Sequence, residues 1–180
     1  MEAADRIRTL AALFASVLIH LPAFIFQSTA KSVPRIHDIT TDTENPPEFN
    51  KILSLRPPDA NPTNYAGEVV AEQQRLAYPD VQPRFAALSF GDAFNQSLAA
   101  AQSLDWEIVE ANLAEGRIEA TDTTVFFGFK DDIVIRLRGD SSSRVRLDIR
   151  SISRVGISDV GANANRIRQF YARLPSFSVN

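Results

Sequence analysis

Ile133-Val134-Ile135-Arg136-Leu137-Arg138, then Gly139-Asp140-Ser141-Ser142-Ser143, then Arg144-Val145-Arg146-Leu147-Asp148-Ile149-Arg150: this stretch decides the fold. Both flanks alternate apolar and polar side chains, the period-two signature of a strand with one buried face. The five residues between them are turn chemistry without an apolar member. The simplest pairing sets Arg138 against Arg144. Leu137 then meets Val145, Ile135 meets Leu147 and Ile133 meets Ile149, with all six on one face. A slip of one residue would turn one strand's apolar set to the wrong side.

The other face of this hairpin is rich in arginine. The same pairing sets Arg136 against Arg146, and like charges directly opposite each other destabilise a strand pair. Two readings stay open. Acidic side chains on a neighbouring strand, Glu119 for one, neutralise the row. Alternatively, Arg136, Arg138, Arg144 and Arg146 form an anion site for a carboxylate, a lipid headgroup or a partner's acidic edge. The planar guanidinium suits that role because it binds oxyanions through two parallel hydrogen bonds.

A length of 180 residues suits one domain with appendages. The net charge of -3 argues against a nucleic-acid partner, which calls for a basic excess. Sixteen arginines against three lysines suggest charge used for hydrogen bonding rather than solvation. The absence of cysteine excludes disulfides, thiolate metal sites and cysteine nucleophiles. His20 and His37 are the only imidazoles, and no cofactor is indicated.

Leu10 to Phe26 is almost wholly apolar. At about 1.5 Å per residue it falls slightly short of a ~30 Å hydrocarbon core. Starting at Ile7, with Arg8 snorkelling to the interface, restores a spanning length. Residues 1–30 are therefore expected to form a hydrophobic helix that anchors the chain in a membrane. A cleaved signal peptide is an alternative, with Ser28-Thr29-Ala30 as its small-residue site; a buried helix in a soluble protein is another. Arg6 and Arg8 are matched by Lys31 and Arg35, so charge leaves the orientation open.

From 31 to 84 the chain holds eight of its ten prolines, which favours extended and turning backbone. Ile36, Ile39, Phe49, Ile52 and Leu55 are spaced through it, so it reads as an arm packed on the domain. A short helix is predicted from Gly67 to Ala77, with Val69, Val70, Gln73 and Leu76 on one side. His37, Asp38, Asp42 and Glu44 can be drawn as a metal site, but their spacing matches no established motif. Turns held by Asp and Thr side chains are the expectation here, with no metal.

The domain proper is expected over 85–175, with a tail at 176–180. Phe85 to Phe90 reads as a strand. A helix follows with Asp92 as N-cap and Phe94, Leu98 and Ala101 inward. Trp106–Glu110 and Arg117–Thr123 read as strands, the second with Ile118 and Ala120 inward. In Thr124–Phe129, alternation puts Phe126 on the polar side and Phe127 and Phe129 in the core. Lys130-Asp131-Asp132 reads as a turn. Ala162 to Leu174 carries Ile167, Phe170, Tyr171 and Leu174 at helical spacing, and Pro175 ends it. The order strand, helix, strands, helix predicts a two-layer α+β domain, an antiparallel sheet packed against two helices, similar to helix-grip and TATA-binding-protein-like sheets.

Several blocks point to a family. They are Pro34-Arg35-Ile36-His37-Asp38-Ile39-Thr40-Thr41-Asp42-Thr43-Glu44-Asn45-Pro46-Pro47, Tyr78-Pro79-Asp80, Trp106-Glu107-Ile108-Val109, Phe127-Gly128-Phe129-Lys130-Asp131-Asp132, and the run from Ser153 to Ile167. Together they resemble the family catalogued as domain of unknown function 1499. The resemblance implies a bacterial or plastid protein with its domain on the exported side of an inner membrane. It implies no catalytic residue, because none is established for the family.

The expected function is a membrane-anchored, non-catalytic binding or scaffolding domain on the periplasmic side, recognising an anionic ligand, an anionic lipid or an acidic partner protein. A form secreted to the periplasm after signal cleavage is the alternative location. Two other functions stay open. One is a hydrolase using His37 with Asp38, or the pair Asp131 and Asp132. The other is a carrier with an apolar pocket near Phe126 and Tyr171.

Overall fold

The structure is a computed structural model, and it describes residues 33–124, 128–140 and 143–179. The expected hydrophobic helix at 1–30, and the expectations for Phe126 and Phe127, lie outside the described residues. Six strands form one sheet: β1 (Asp38–Thr40), β2 (Arg84–Ala86), β3 (Glu107–Asn112), β4 (Arg117–Thr123), β5 (Lys130–Gly139) and β6 (Val145–Ser153). Three helices accompany them: α1 (Glu68–Ala77), α2 (Phe90–Gln102) and α3 (Ala162–Ala172), with a 3-10 turn at Lys51–Leu55. Every pairing is antiparallel, in the order β1-β6-β5-β4-β3. The outer edge of β6 is shared: β2 lies along Val145–Leu147 and β1 along Arg150–Ile152.

The hairpin forms with its faces as expected but with its register moved by two residues. Leu137 pairs with Leu147, Ile135 with Ile149, and Arg136 with Asp148. Arg138 faces Arg146, and Arg144 falls outside β6 in the turn. Burying an aliphatic side chain is worth about 1.5–3 kcal/mol, against about 0.2–1 kcal/mol for a cross-strand pair. The apolar face therefore fixes register only to within an even number of residues. The smaller terms choose among the even registers. Opposing Arg136 to Asp148 replaces a repulsion with an attraction. The turn closes from Asp140, whose N–H donates to the Arg144 carbonyl at 2.8 Å and whose Oδ1 accepts the Arg144 N–H at 2.8 Å.

One face of the sheet carries Ile118, Ala120, Ile133, Ile135, Leu137, Val145, Leu147 and Ile149, all buried. Phe94 of α2 and Ile167 and Phe170 of α3 pack in the same core. Trp106 stacks on Phe170 with ring centroids 5.6 Å apart. The opposite face is covered too. Phe49 and Ile52 of the 31–84 segment bury Val134 and Ile152 there. The domain thus has three layers rather than two, because this sheet face is too polar to be left dry without partners and the segment brings them.

Local details also depart from expectation. Among the described residues there are three α-helices, α1 lying in the proline-rich segment and α2 and α3 against the sheet. The α2 cap is Ser89, whose Oγ accepts the Asp92 N–H at 3.1 Å, so Asp92 lies inside the first turn. Lys130–Asp132 continues β5 instead of turning. Phe129 is half exposed rather than core. In α1 the buried residues are Ala71 and Gln74, while Val69 and Leu76 face solvent. The reason is a sheet edge: Gln74 accepts the Thr40 N–H at 2.9 Å and donates to the Thr40 carbonyl at 2.6 Å. One amide side chain satisfies both backbone groups of an edge strand that would otherwise be buried unpaired.

Gly116 adopts φ +63°, and its carbonyl accepts the Leu137 N–H at 2.8 Å. A Cβ there would lie 2.5 Å from the Leu137 carbonyl oxygen. Gly116→Ala should destabilise by at least the roughly 1–2 kcal/mol of a left-handed backbone, seen as a lower urea midpoint at unchanged slope. Gly91→Ala, in a helix with open space around the new methyl, should be neutral or stabilise by up to about 1 kcal/mol.

Candidate functional site

The polar face of the sheet is where the sequence places the chemistry. Alternation along β5 and β6 brings Asp132, Arg136, Arg138, Arg146, Asp148 and Arg150 onto it. Asp148 is fully buried among the arginines. Its Oδ2 accepts from Arg136 at 3.0 Å and Arg138 at 2.9 Å, and its Oδ1 accepts from Arg146 at 3.0 Å. Asp42, arriving on the 31–84 segment, accepts from the same three guanidiniums at 3.0, 3.2 and 2.9 Å. Three positive groups thus share two carboxylates, leaving one formal positive charge. Arg144 stands apart, donating to Asp140 at 3.0 Å and lying over the Phe85 ring. The structure therefore gathers Arg136, Arg138 and Arg146, separates Arg144, and supplies anions from the chain itself.

Glu119 is not the neutralising group. It accepts the backbone N–H groups of Asn50 and Ile52, each at 2.7 Å, and holds the start of the 3-10 turn. Two further knots fasten the same segment. Arg150 grips Asp38 through two bonds of 2.9 and 2.7 Å and donates to the carbonyls of Pro47 and Thr63. Asp132 accepts from Arg154 at 2.8 and 2.9 Å, from Thr121 at 2.9 Å, and from Arg56.

A fourth knot lies on the helix-covered face. Arg166 of α3 donates to Asp131 at 2.6 Å and Asp122 at 2.8 Å. Asn163 bridges the Ser153 hydroxyl and the His37 carbonyl. Asp159 leads into α3, accepting the N–H groups of Gly161 and Asn163. Burial pushes its carboxyl above the ordinary carboxylate range, against the pull of those two bonds.

These pairings engage the acids of the acid–base sets drawn from the sequence. Asp38 is committed to Arg150, and His37 contributes its carbonyl, which accepts from Ser153 N–H at 3.0 Å. Asp131 and Asp132 point to opposite faces, one toward Arg166 and the other toward Arg154. Asp42 serves the arginine cluster, and among the described residues no three His, Asp or Glu side chains are grouped as a metal site requires.

Two cavities border residues of this region. One, of about 350 Å³, lies between Asn45–Glu48 and the sheet, with Arg117 and Arg136 on its wall. Arg117 is balanced by Glu110 and Glu115. The other, of about 240 Å³, is bounded by Asp80, Arg84, Ile167, Tyr171 and Phe177. His37 lines neither. Sequence reasoning marked Tyr171 but missed Arg84, the last residue of the proline-rich segment, because nothing local distinguishes it from a solvated arginine.

A family model described as a protein of unknown function (DUF1499) matches residues 38–174. No curated protein matches the chain.

Asp148→Ala should cost about 3–5 kcal/mol, since it removes a fully buried carboxylate from three partly buried guanidiniums. It should also open the 42–65 segment to trypsin. Arg138→Ala, at a side chain 38% exposed, should stay within about 1 kcal/mol; urea unfolding and limited proteolysis read both. Asp159 is favoured neutral in the fold. Its contribution to stability is full below the unfolded-state value of about 3.9 and is lost as pH rises through the raised folded value. The stability of Asp159→Asn relative to the parent should therefore climb as pH rises above about 4 in urea titrations.

Proposed function

We propose, for a chain that belongs to the DUF1499 family of proteins of unknown function, a non-catalytic binding platform held at a membrane surface, on the periplasmic side of an inner membrane. The observation that carries this reading is a group of exposed apolar side chains at one end of the sheet. Phe129 immediately precedes β5, while Val155 and Ile157 follow β6, and they are 50%, 47% and 63% exposed. Antiparallel pairing brings the start of β5 and the end of β6 to the same end. Asp38, the first residue of β1, pairs with Ile152 there. The chain leading from the apolar run Leu10–Phe26 thus joins the domain beside them.

Single exposed apolar residues are ordinary; several gathered where an apolar segment joins the domain suit an interface with lipid. Exposed Lys130 adjoins Phe129 and adds a cation of the kind anionic headgroups attract. Binding is favoured over catalysis because the candidate acids are all committed to arginines. The periplasmic side rests on the family resemblance alone.

The cysteine-free chain allows a direct test. Single substitutions Phe129→Cys, Val155→Cys and Ile157→Cys, in the full chain reconstituted in vesicles, should react slowly with a water-soluble maleimide and quickly after detergent release. Leu113→Cys, in the β3–β4 turn at the other end of the sheet, should react quickly throughout, and in spheroplasts as well. Equal rates at all four positions would refute the membrane-facing assignment. Protection of Leu113→Cys in spheroplasts, reversed on lysis, would refute the periplasmic side.

A further inference from the structure

Among the described residues, every other arginine that is not solvent-exposed donates to a carboxylate. The Arg84 guanidinium does not. That side chain makes no hydrogen bond or ion pair with a described residue, and its Nε is buried without an acceptor. Its guanidinium lies over the Tyr171 ring, 4.9 Å from the centroid. That ring removes water from one face of the cation, and Arg84 lines the cavity beside it. Desolvated donors without acceptors are costly, and an arriving oxyanion would relieve that cost.

The surroundings define what would fit. Asp80 is the only acid on the cavity wall, and Arg168 already holds both its oxygens at 2.6 and 2.8 Å. That pairing holds the Asp80 carboxyl below the usual range. Arg84, Arg168 and Asp80 together leave one surplus positive charge. The remaining wall is apolar, from Val81, Ile167 and Phe177. The wall is also fixed in place. Phe85 and Ser178 exchange backbone hydrogen bonds of 2.8 and 2.9 Å, and the Tyr171 hydroxyl donates to the Gln82 carbonyl at 3.0 Å. At about 240 Å³ the cavity is below the roughly 300–1,000 Å³ typical of drug-sized ligands.

We propose that this cavity binds a small organic monocarboxylate with a compact apolar body, its carboxylate taken by Arg84 and its body by Tyr171, Ala172 and Phe177. One surplus charge matches a monoanion, whereas a phosphate dianion would be left with uncompensated charge facing Asp80. The site rests on the reading of the domain as a binding platform but not on its contact with lipid.

The full chain in detergent micelles therefore tests it separately. Benzoate, 3-phenylpropionate and hexanoate are titrated against ¹⁵N-labelled protein while the arginine Nε–H resonances are followed. At least one acid should shift the Arg84 signal saturably. Its isosteric amide and inorganic phosphate should bind at least about tenfold more weakly, as expected from loss of a charge-assisted pair. Arg84→Gln should weaken binding by a similar factor. Asp80→Asn should strengthen it, because it removes the competing carboxylate and frees Arg168. The proposal is overturned if no acid saturates the signal, or if amide or phosphate binds as tightly as the acid. It is equally overturned if Asp80→Asn, a variant that leaves Arg84 in place, fails to tighten binding.

Discussion

Asp148 sits in the middle of the sheet without contact with water, accepting hydrogen bonds from three arginines. One carboxylate cannot balance three guanidiniums, so a buried Asp148 requires a second acid from elsewhere in the chain. Asp42 is that acid, and bringing it into place draws the stretch that carries Phe49 and Ile52 across the sheet. Asp38 on Arg150, and Arg56 on Asp132, then fasten the segment on either side. The stretch from Asp42 to Thr63 accordingly behaves as the third layer of the domain, although the 3-10 turn is its only helical element.

Buried ion pairs of this kind are weak evidence for stability, since desolvation offsets much of their attraction. Their better-attested effect is on uniqueness. An apolar hairpin face tolerates any even slip, because each such slip returns the same side chains to the core. Here the charged face does not tolerate it: moving β6 by two residues would set Arg136 against Arg146 and leave Asp148 opposite Val134. Polar complementarity thus selects one register from a set that burial leaves degenerate, and the turn closed by Asp140 agrees with that choice.

The same economy shapes what the molecule offers to partners. Most of its buried and partly buried arginines are spent internally, so abundance of arginine is a poor guide to a binding face. The exceptions stand out by contrast. Among the described residues Arg84 rests on a tyrosine with no acid of its own, and Phe129, Val155 and Ile157 at the β5–β6 end are exposed. Neither feature is conspicuous in the linear chain. Arg84 becomes distinctive only once Arg168 has claimed Asp80, and Val155 and Ile157 only once Phe129 proves to lie at the same end of the sheet.

What the amino-acid order settled by itself was periodic and local. Alternation in Ile133–Arg138 and Arg144–Arg150 determined that these are strands, that they pair antiparallel, and which side chains face the core. Helical spacing in Ile167, Phe170 and Leu174 determined which side of α3 is buried. These properties depend on neighbours a few residues apart, and period is enough to express them. Only the tertiary structure decided the register, the partner of each arginine, and the inward turn of Gln74 in place of Val69 and Leu76. Each of those depends on a group distant in the chain, such as Asp42 for Arg146 or Thr40 for Gln74. A charge or an amide carries no local mark of which remote group will satisfy it.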